Sequence, residues 1–250
     1  MTRGGSSSSS NGNGESTSTS NGMTSSVSCS SLDQAVEGSA LRRPLIISGP
    51  SGVGKGTLIR RLLGEYPARF GFSCSHTTNG PRPGEQEGID YFFTTREKLQ
   101  AEIDVGKFLE HATVHNNLYG TSFDAVRGVQ DEGKICVLDI DVQGVLSVKK
   151  AAARGLVHNL RPLFVFIAPP SLEVLENRLR ERETEKEEDV VRRLGNARKE
   201  VEYGWVKGNF DKIVVNGELD EAYRDLVGYI ENMYYSEEEE GEEEEEEDES

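Results

Sequence analysis

Residues 49–56, Gly49-Pro50-Ser51-Gly52-Val53-Gly54-Lys55-Gly56, bring together the residue types that phosphate chemistry asks for. Glycines leave room for successive backbone N–H groups to close around phosphate oxygens, and a following helix turns its positive end to the same place. Lys55 adds a mobile point charge for the β and γ phosphates. The apolar run Leu45-Ile46-Ile47 precedes the loop and a helical pattern follows it, which is the strand, loop and helix of a nucleoside triphosphate site. At its last position that pattern asks for a Ser or Thr hydroxyl on Mg²⁺, and the chain has Gly56 followed by Thr57. Either phosphates and water hold the metal in the main, or Thr57 substitutes. A glycine-rich turn can also simply join a strand to a helix. The spaced glycines, the lysine and the buried-type strand together favour the phosphate reading.

Such a loop works only if a rigid scaffold holds it. Ile135-Cys136-Val137-Leu138-Asp139, Leu163-Phe164-Val165-Phe166-Ile167 and Lys212-Ile213-Val214-Val215 read as further buried-type strands, separated by helical sequence. Continuous apolar strands alternating with helices predict an α/β fold with a parallel central sheet covered on both faces, and ligands at the carboxyl ends of its strands. The first helix is expected to run to about Tyr66, followed by a short run Phe72-Ser73-Cys74-Ser75 and a turn-rich stretch through Gly88. Tyr91-Phe92-Phe93 reads as a strand, and Thr94 to Phe108 as a surface helix around Leu99, Ile103 and Val105. Ser171 to Tyr203 is long and highly charged, with apolar residues at Leu172, Leu175, Leu179, Val190 and Leu194, the pattern of two amphipathic helices.

Composition sets the limits of the folded part. Residues 1–40 are mostly Ser, Gly, Asn and Thr without apolar periodicity and read as a disordered arm. Residues 236–250 read as a disordered acidic tail, which contributes twelve acidic residues to a net charge of −16. The rest is only mildly acidic, so the charge says little about the substrate, although it disfavours nucleic acid. The tail is either a solvated terminus or a dock for a basic partner of unknown identity. No apolar run reaches the length of a membrane span and no secretory h-region is present. Three well-separated cysteines, Cys29, Cys74 and Cys136, suit free thiols in a reducing compartment, so the cytoplasm is expected. A monomer is expected too, although no sequence pattern fixes the oligomeric state. The Ser-rich start faintly resembles an organellar transit peptide, but Arg3 is its only basic residue before Arg42.

Further segments, in their order and spacing, carry a resemblance: Phe72-Ser73-Cys74-Ser75-His76-Thr77-Thr78, Pro81-Arg82-Pro83-Gly84-Glu85, Asp90-Tyr91, Phe108-Leu109-Glu110-His111, Asn117-Leu118-Tyr119-Gly120-Thr121, Leu138 to Gly144, and Ala168-Pro169-Pro170-Ser171. With the loop they make the chain resemble the guanylate kinases, from about Arg43 to about Tyr234. The resemblance implies a three-layer P-loop NTPase fold with a GMP-binding β-rich insertion at about 74–125 and a helical lid at about 171–203, all within a domain at 41–235. It also implies transfer of the γ-phosphoryl group of ATP to GMP with Mg²⁺, dGMP use being left open.

By the same resemblance Lys55, Arg178, Arg182 and Arg193 are the catalytic cations. Arg178 and Arg182 stand four apart on one helix face, although any of these arginines could instead pair with neighbouring glutamates. Gly49 to Thr57 would hold ATP. Glu110 would accept from guanine N1–H and the exocyclic amine, with Ser75 donating to O6 and Thr121 helping to hold the base. Arg82, Tyr91 and Tyr119 would grip the GMP phosphate, with core packing as the alternative for the tyrosines. Asp139 would hold metal-bound water and Asp141 would lie near the guanine amine, or either would cap the following helix. The family has an arginine after its Ser-His-Thr-Thr segment where this chain has Asn79, which should weaken the grip on GMP. A protein-interaction module of the same fold, without catalysis, is the second reading, and a kinase for another nucleoside monophosphate the third. His111 and His115 have helical metal spacing in what reads as a strand and hairpin, and Trp205 is expected to pack.

Overall fold

The computed structural model describes residues 42–82, 84–114, 116–155, 160–181 and 187–248, with residues 188, 189 and 235–248 described by backbone alone. The expected N-terminal arm, His115 and Arg182 lie outside the described residues.

Strand β1 (Leu45–Ser48) is wholly buried and is the middle of a five-stranded sheet. On one side it pairs with β7 (Ile135–Asp139), which pairs with β2 (Phe70–Phe72); on the other with β8 (Leu163–Ala168), which pairs with β9 (Lys212–Val215). Every pairing is parallel, as unbroken apolar strands require. Alternate residues of β1 feed two cores. Leu45 and Ile47 join Leu58 and Leu62 of α1 (Lys55–Glu65) and Leu226 and Ile230 of α7 (Leu219–Asp248). Ile46 joins Val126 of α3 (Phe123–Asp131) and Val145 and Val148 of α4 (Val142–Ala153). Each such fully buried aliphatic side chain contributes about 1.5–3 kcal/mol, so the sheet is the rigid reference for whatever its strand ends carry. Since all five strands run one way, the phosphate-type loop after β1 and Asp139 at the end of β7 emerge at one edge, with Ile47 in register with Asp139.

The run expected at Phe72–Ser75 divides between two sheets. Phe70–Phe72 stays in the central sheet, and Ser73 N–H still donates to Val137 O at 2.9 Å. Beyond it β3 (Ser75–Thr77) enters a second sheet of order β4-β3-β6-β5, with β4 (Tyr91–Phe93), β5 (Phe108–Val114) and β6 (Asn117–Ser122). The surface helix forms as α2 (Arg96–Asp104), capped by Thr95, whose hydroxyl accepts from Lys98 N–H. His111 lies on β5, so the strand reading holds there.

The charged segment forms α5 (Leu172–Arg180) and α6 (Glu187–Gly204). Leu175, Leu179, Val190 and Ala197 are buried in the same core as Leu58 and Leu62, which anchors both helices to the central sheet. α6 closes on Gly204, where a Cβ would lie 2.3 Å from the Phe166 ring. Trp205, just past it, is 55% exposed, which corrects the expectation that it packs: that ring-to-backbone approach ends the helix's contact with the core one residue earlier. The backbone of α7 runs on through the glutamate run to Asp248, where composition reads an unstructured tail. Glutamate is a good helix former, and the run extends turns already nucleated by packing. No helix among the described residues is long and apolar enough to cross a membrane.

Candidate functional site

The loop's conformation depends on glycine at two close approaches. Gly49 has φ +149°, and a Cβ there would lie 2.3 Å from Ile167 O. Gly54, the residue before α1, has φ +100°, and a Cβ would meet Asn216 Nδ2 at 2.5 Å. Asn216 is buried and braces the loop by donating Nδ2–H to Val53 O at 2.7 Å, while Val53 itself is anchored in the core. Lys55 opens α1. Its ammonium donates to Gly49 O at 2.5 Å and stands 3.8 Å from Asp139 Oδ1. Burial pushes the Asp139 carboxyl up, and the neighbouring Lys55 opposes that shift. Thr57 is exposed on the first turn of α1, next to Gly56.

From this loop a cleft of about 580 Å³ extends to the second sheet. Gly49, Ser51, Lys55 and Asp139 line one end; Ser75, Tyr91, Glu110 and Tyr119 line the other, with Asp141 between. Glu110 is 5% exposed. A register shift between Phe108 and Glu110 sets its position opposite Thr121 of β6. Burial pushes its carboxyl up to about 7, against the Thr121 hydrogen bond that favours ionisation, and Asp141 adds to the rise. Thr121 is fully buried and its hydroxyl lies 3.0 Å from Ser75 Oγ. A buried acceptor beside two hydroxyls is built for a polar edge, because an unmatched partner would leave these groups unpaired.

Asp141 settles which aspartate caps the helix: its Oδ1 accepts from Gly144 N–H at 2.8 Å, so the alternative held open for Asp139 or Asp141 falls on Asp141, which still faces the cleft. Tyr91 and Tyr119 are only half-buried, meet edge to face at 5.9 Å and line the cleft, so they are not ordinary core residues. Burial pushes the Tyr91 hydroxyl up to about 12. Arg82 is exposed, within 3.7 Å of Glu85, and is not part of the cleft wall.

Of the expected cations on α5 and α6, Arg193 reaches the site, donating Nη1–H to Ser51 Oγ at 2.9 Å. Arg178 does not line the cleft. Its guanidinium donates to Asn216 O at 2.9 Å and Gly217 O at 3.0 Å, so it ties α5 to the loop after β9. Neighbouring glutamates pair instead with Arg180, whose partners are Glu176 and Glu187.

Sequence reasoning missed Asn196, Lys199 and Glu200 of α6, which line the cleft with Arg193. The helical period held the signal: Asn196 and Glu200 follow Arg193 by three and seven residues and share its face. Asn216 was missed as well, because its brace on Val53 spans 163 residues of chain.

Comparison with known proteins follows the same outline. The guanylate kinase family model matches residues 41–233. Guanylate kinase 1 of Oryza sativa subsp. japonica is 53% identical over 185 residues, 74% of this chain and 47% of its own length. The chain therefore spans about half of the rice relative. The guanylate kinases of Sus scrofa and Homo sapiens are 52% and 51% identical, over 72% and 74% of this chain and 88% and 90% of their own lengths. Among solved structures, guanylate kinase from Anaplasma phagocytophilum is similar with a TM-score of 0.57 and 27% identity, over 78% of this chain and 87% of that one.

Proposed function

Because the chain belongs to the guanylate kinase family, we propose how its own residues carry out that family's reaction, transfer of the γ-phosphoryl group of ATP to GMP to give ADP and GDP. The observation that carries the reading is one cleft with a phosphate-type loop at one end and a buried carboxylate flanked by hydroxyls at the other.

ATP lies with its phosphates on residues 49–57, where loop N–H groups and the start of α1 favour negative charge. GMP lies with its base on Glu110, which in its ionised form accepts from N1–H and the exocyclic amine, while Ser75 donates to O6 and Thr121 holds Ser75 in place. Adenine cannot offer that donor pair. Tyr91 and Tyr119 face the GMP phosphate, with Arg82 closing from the surface. A GMP phosphate oxygen forms a bond to the γ phosphorus as the bond to the β-phosphate oxygen breaks. That oxygen is already ionised, so no strong base is needed. The work is positioning and charge neutralisation. Lys55 leaves Gly49 O for the β and γ phosphates, and Arg193, held at Ser51, serves the transferring group. Arg178 acts by positioning the loop after β9. The resemblance alone names Arg182 as a further cation.

Among the described residues no cluster of three or more His, Cys, Asp or Glu side chains could hold a metal by itself. A lone carboxylate, Asp139, beside the loop fits hydrated Mg²⁺ carried on ATP, which would neutralise charge on the β and γ phosphates while Asp139 accepts from its water.

The test is an ADP-release assay with ATP, Mg²⁺ and each of GMP, AMP, UMP and CMP. Turnover with GMP alone is expected. No turnover with any acceptor, from folded protein that still binds GMP, would replace the enzyme with a binding module.

A further inference from the structure

The middle of the cleft carries a charged group that neither end uses. Glu200 lies on α6 in the stripe of Arg193 and Asn196, next to the stripe of Val190, Leu194 and Ala197 that packs into the core. The helix is thus fixed from behind, and Glu200 has a defined place in the cleft wall. Its electrostatic neighbours locate it along the cleft. Lys55 marks the phosphate end, and Asp141 lies between that end and Glu110; both act on Glu200. Burial pushes its carboxyl up to about 7, with Lys55 opposing and Asp141 adding. Among the described residues no hydrogen bond or ion pair engages this carboxylate.

A partly desolvated acceptor with no partner among the described residues is met by a donor on the ligand. Phosphate is excluded by like charge. A metal held by side chains alone is excluded among the described residues by the missing donor cluster. With the base of the acceptor nucleotide on Glu110 and its phosphate near Lys55, the sugar lies between them, and its hydroxyls are neutral donors. We propose that Glu200 accepts hydrogen bonds from the ribose hydroxyls of the acceptor nucleotide and makes the enzyme favour the ribonucleotide over its 2′-deoxy counterpart. This rests on the guanylate kinase reading and extends it from the base to the sugar.

The experiment compares kcat/KM for GMP and 2′-dGMP in the full chain and in Glu200→Ala and Glu200→Gln, with ATP and Mg²⁺. The unaltered protein is expected to prefer GMP. A charge-assisted hydrogen bond removed from a site costs on the order of tenfold or more, so both variants should lose about that factor with GMP and little with 2′-dGMP. The KM for ATP should not move. A GMP to 2′-dGMP ratio unchanged in both variants, whether their rates fall or hold, overturns the proposal. Glu200→Gln keeps the side chain's shape, so the ratio is still read if the alanine variant fails to fold. If the unaltered protein phosphorylates no acceptor, the enzyme reading falls. Calorimetric titration of GMP and 2′-dGMP into it and the glutamine variant then decides the sugar contact by itself.

Discussion

At the residue scale, the site is defined by two charged side chains, Lys55 at one end of the cleft and Glu110 at the other. Lys55 is held by Gly49 O and Asp139 at the base of the loop, where phosphate charge would develop. Lys55→Ala should reduce kcat by roughly 10²–10³ or more while GMP still binds, and calorimetry beside turnover separates the two effects. Glu110 carries the pH dependence. Its carboxyl, ordinarily near 4.5, lies at about 7 in the folded chain. Between those values the native state keeps a proton that the unfolded chain gives up, so this group lowers stability as pH rises from about 4.5 to about 7, by on the order of 3 kcal/mol in all. Glu110→Gln should flatten urea midpoints across that window, with a residual slope of the same sign coming from Glu200 and Asp139. The same variant should weaken GMP much more than ATP and abolish the gain in GMP affinity as pH climbs through about 7. Asn79, where the resemblance leads one to expect an arginine, accepts from Asn117 Nδ2 at 3.2 Å. Asn79→Arg should tighten GMP or raise kcat by about tenfold, and unchanged kinetics would show that another cation already fills that place.

At the element scale, α4 joins the two ends of the cleft. Its cap, Asp141, faces the cleft, and its third residue, Gly144, abuts the Glu110 carboxylate: a Cβ there would lie 2.8 Å from Glu110 Oε2 and 3.1 Å from Ile140 Cβ. Gly144→Ala must therefore displace Glu110 or tilt the helix start. The expected outcome is a KM for GMP raised by about tenfold or more, with the KM for ATP unchanged, since misplacing a recognition group is felt mainly by its own ligand. Equal effects on both substrates would show that the whole helix had shifted. Similarly, α5 and α6 act through their anchors, with Leu175 and Leu179 at one end and Val190 and Ala197 along the other. Arg193 can meet Ser51 only because those residues hold α6 against the core.

At the scale of the whole molecule, α7 closes one face of the central sheet, the core shared with α1, and Tyr234 Oη–H donates to Arg43 O at 2.7 Å at the entry to β1. Deleting residues 237–250 removes twelve acidic residues and should leave the melting temperature and kcat/KM for GMP unchanged; a loss of turnover would give the acidic run a role in catalysis. The loop around Lys55, the buried strands and their parallel order were legible without coordinates, because glycine spacing and unbroken apolar runs are local patterns with one economical explanation each. Other features appear only when distant segments meet. Arg178 reads as a phosphate cation in sequence and binds Asn216 and Gly217 carbonyls in space, and the chain leaves the central sheet only after Ser73, whose N–H still donates to Val137 O. Glu200 is one glutamate among many until α6 is laid against Lys55 and Asp141. Local composition and period determined the chemistry this chain can do; burial and the company each charge keeps, which depend on contacts many residues apart, were decided by the tertiary structure alone.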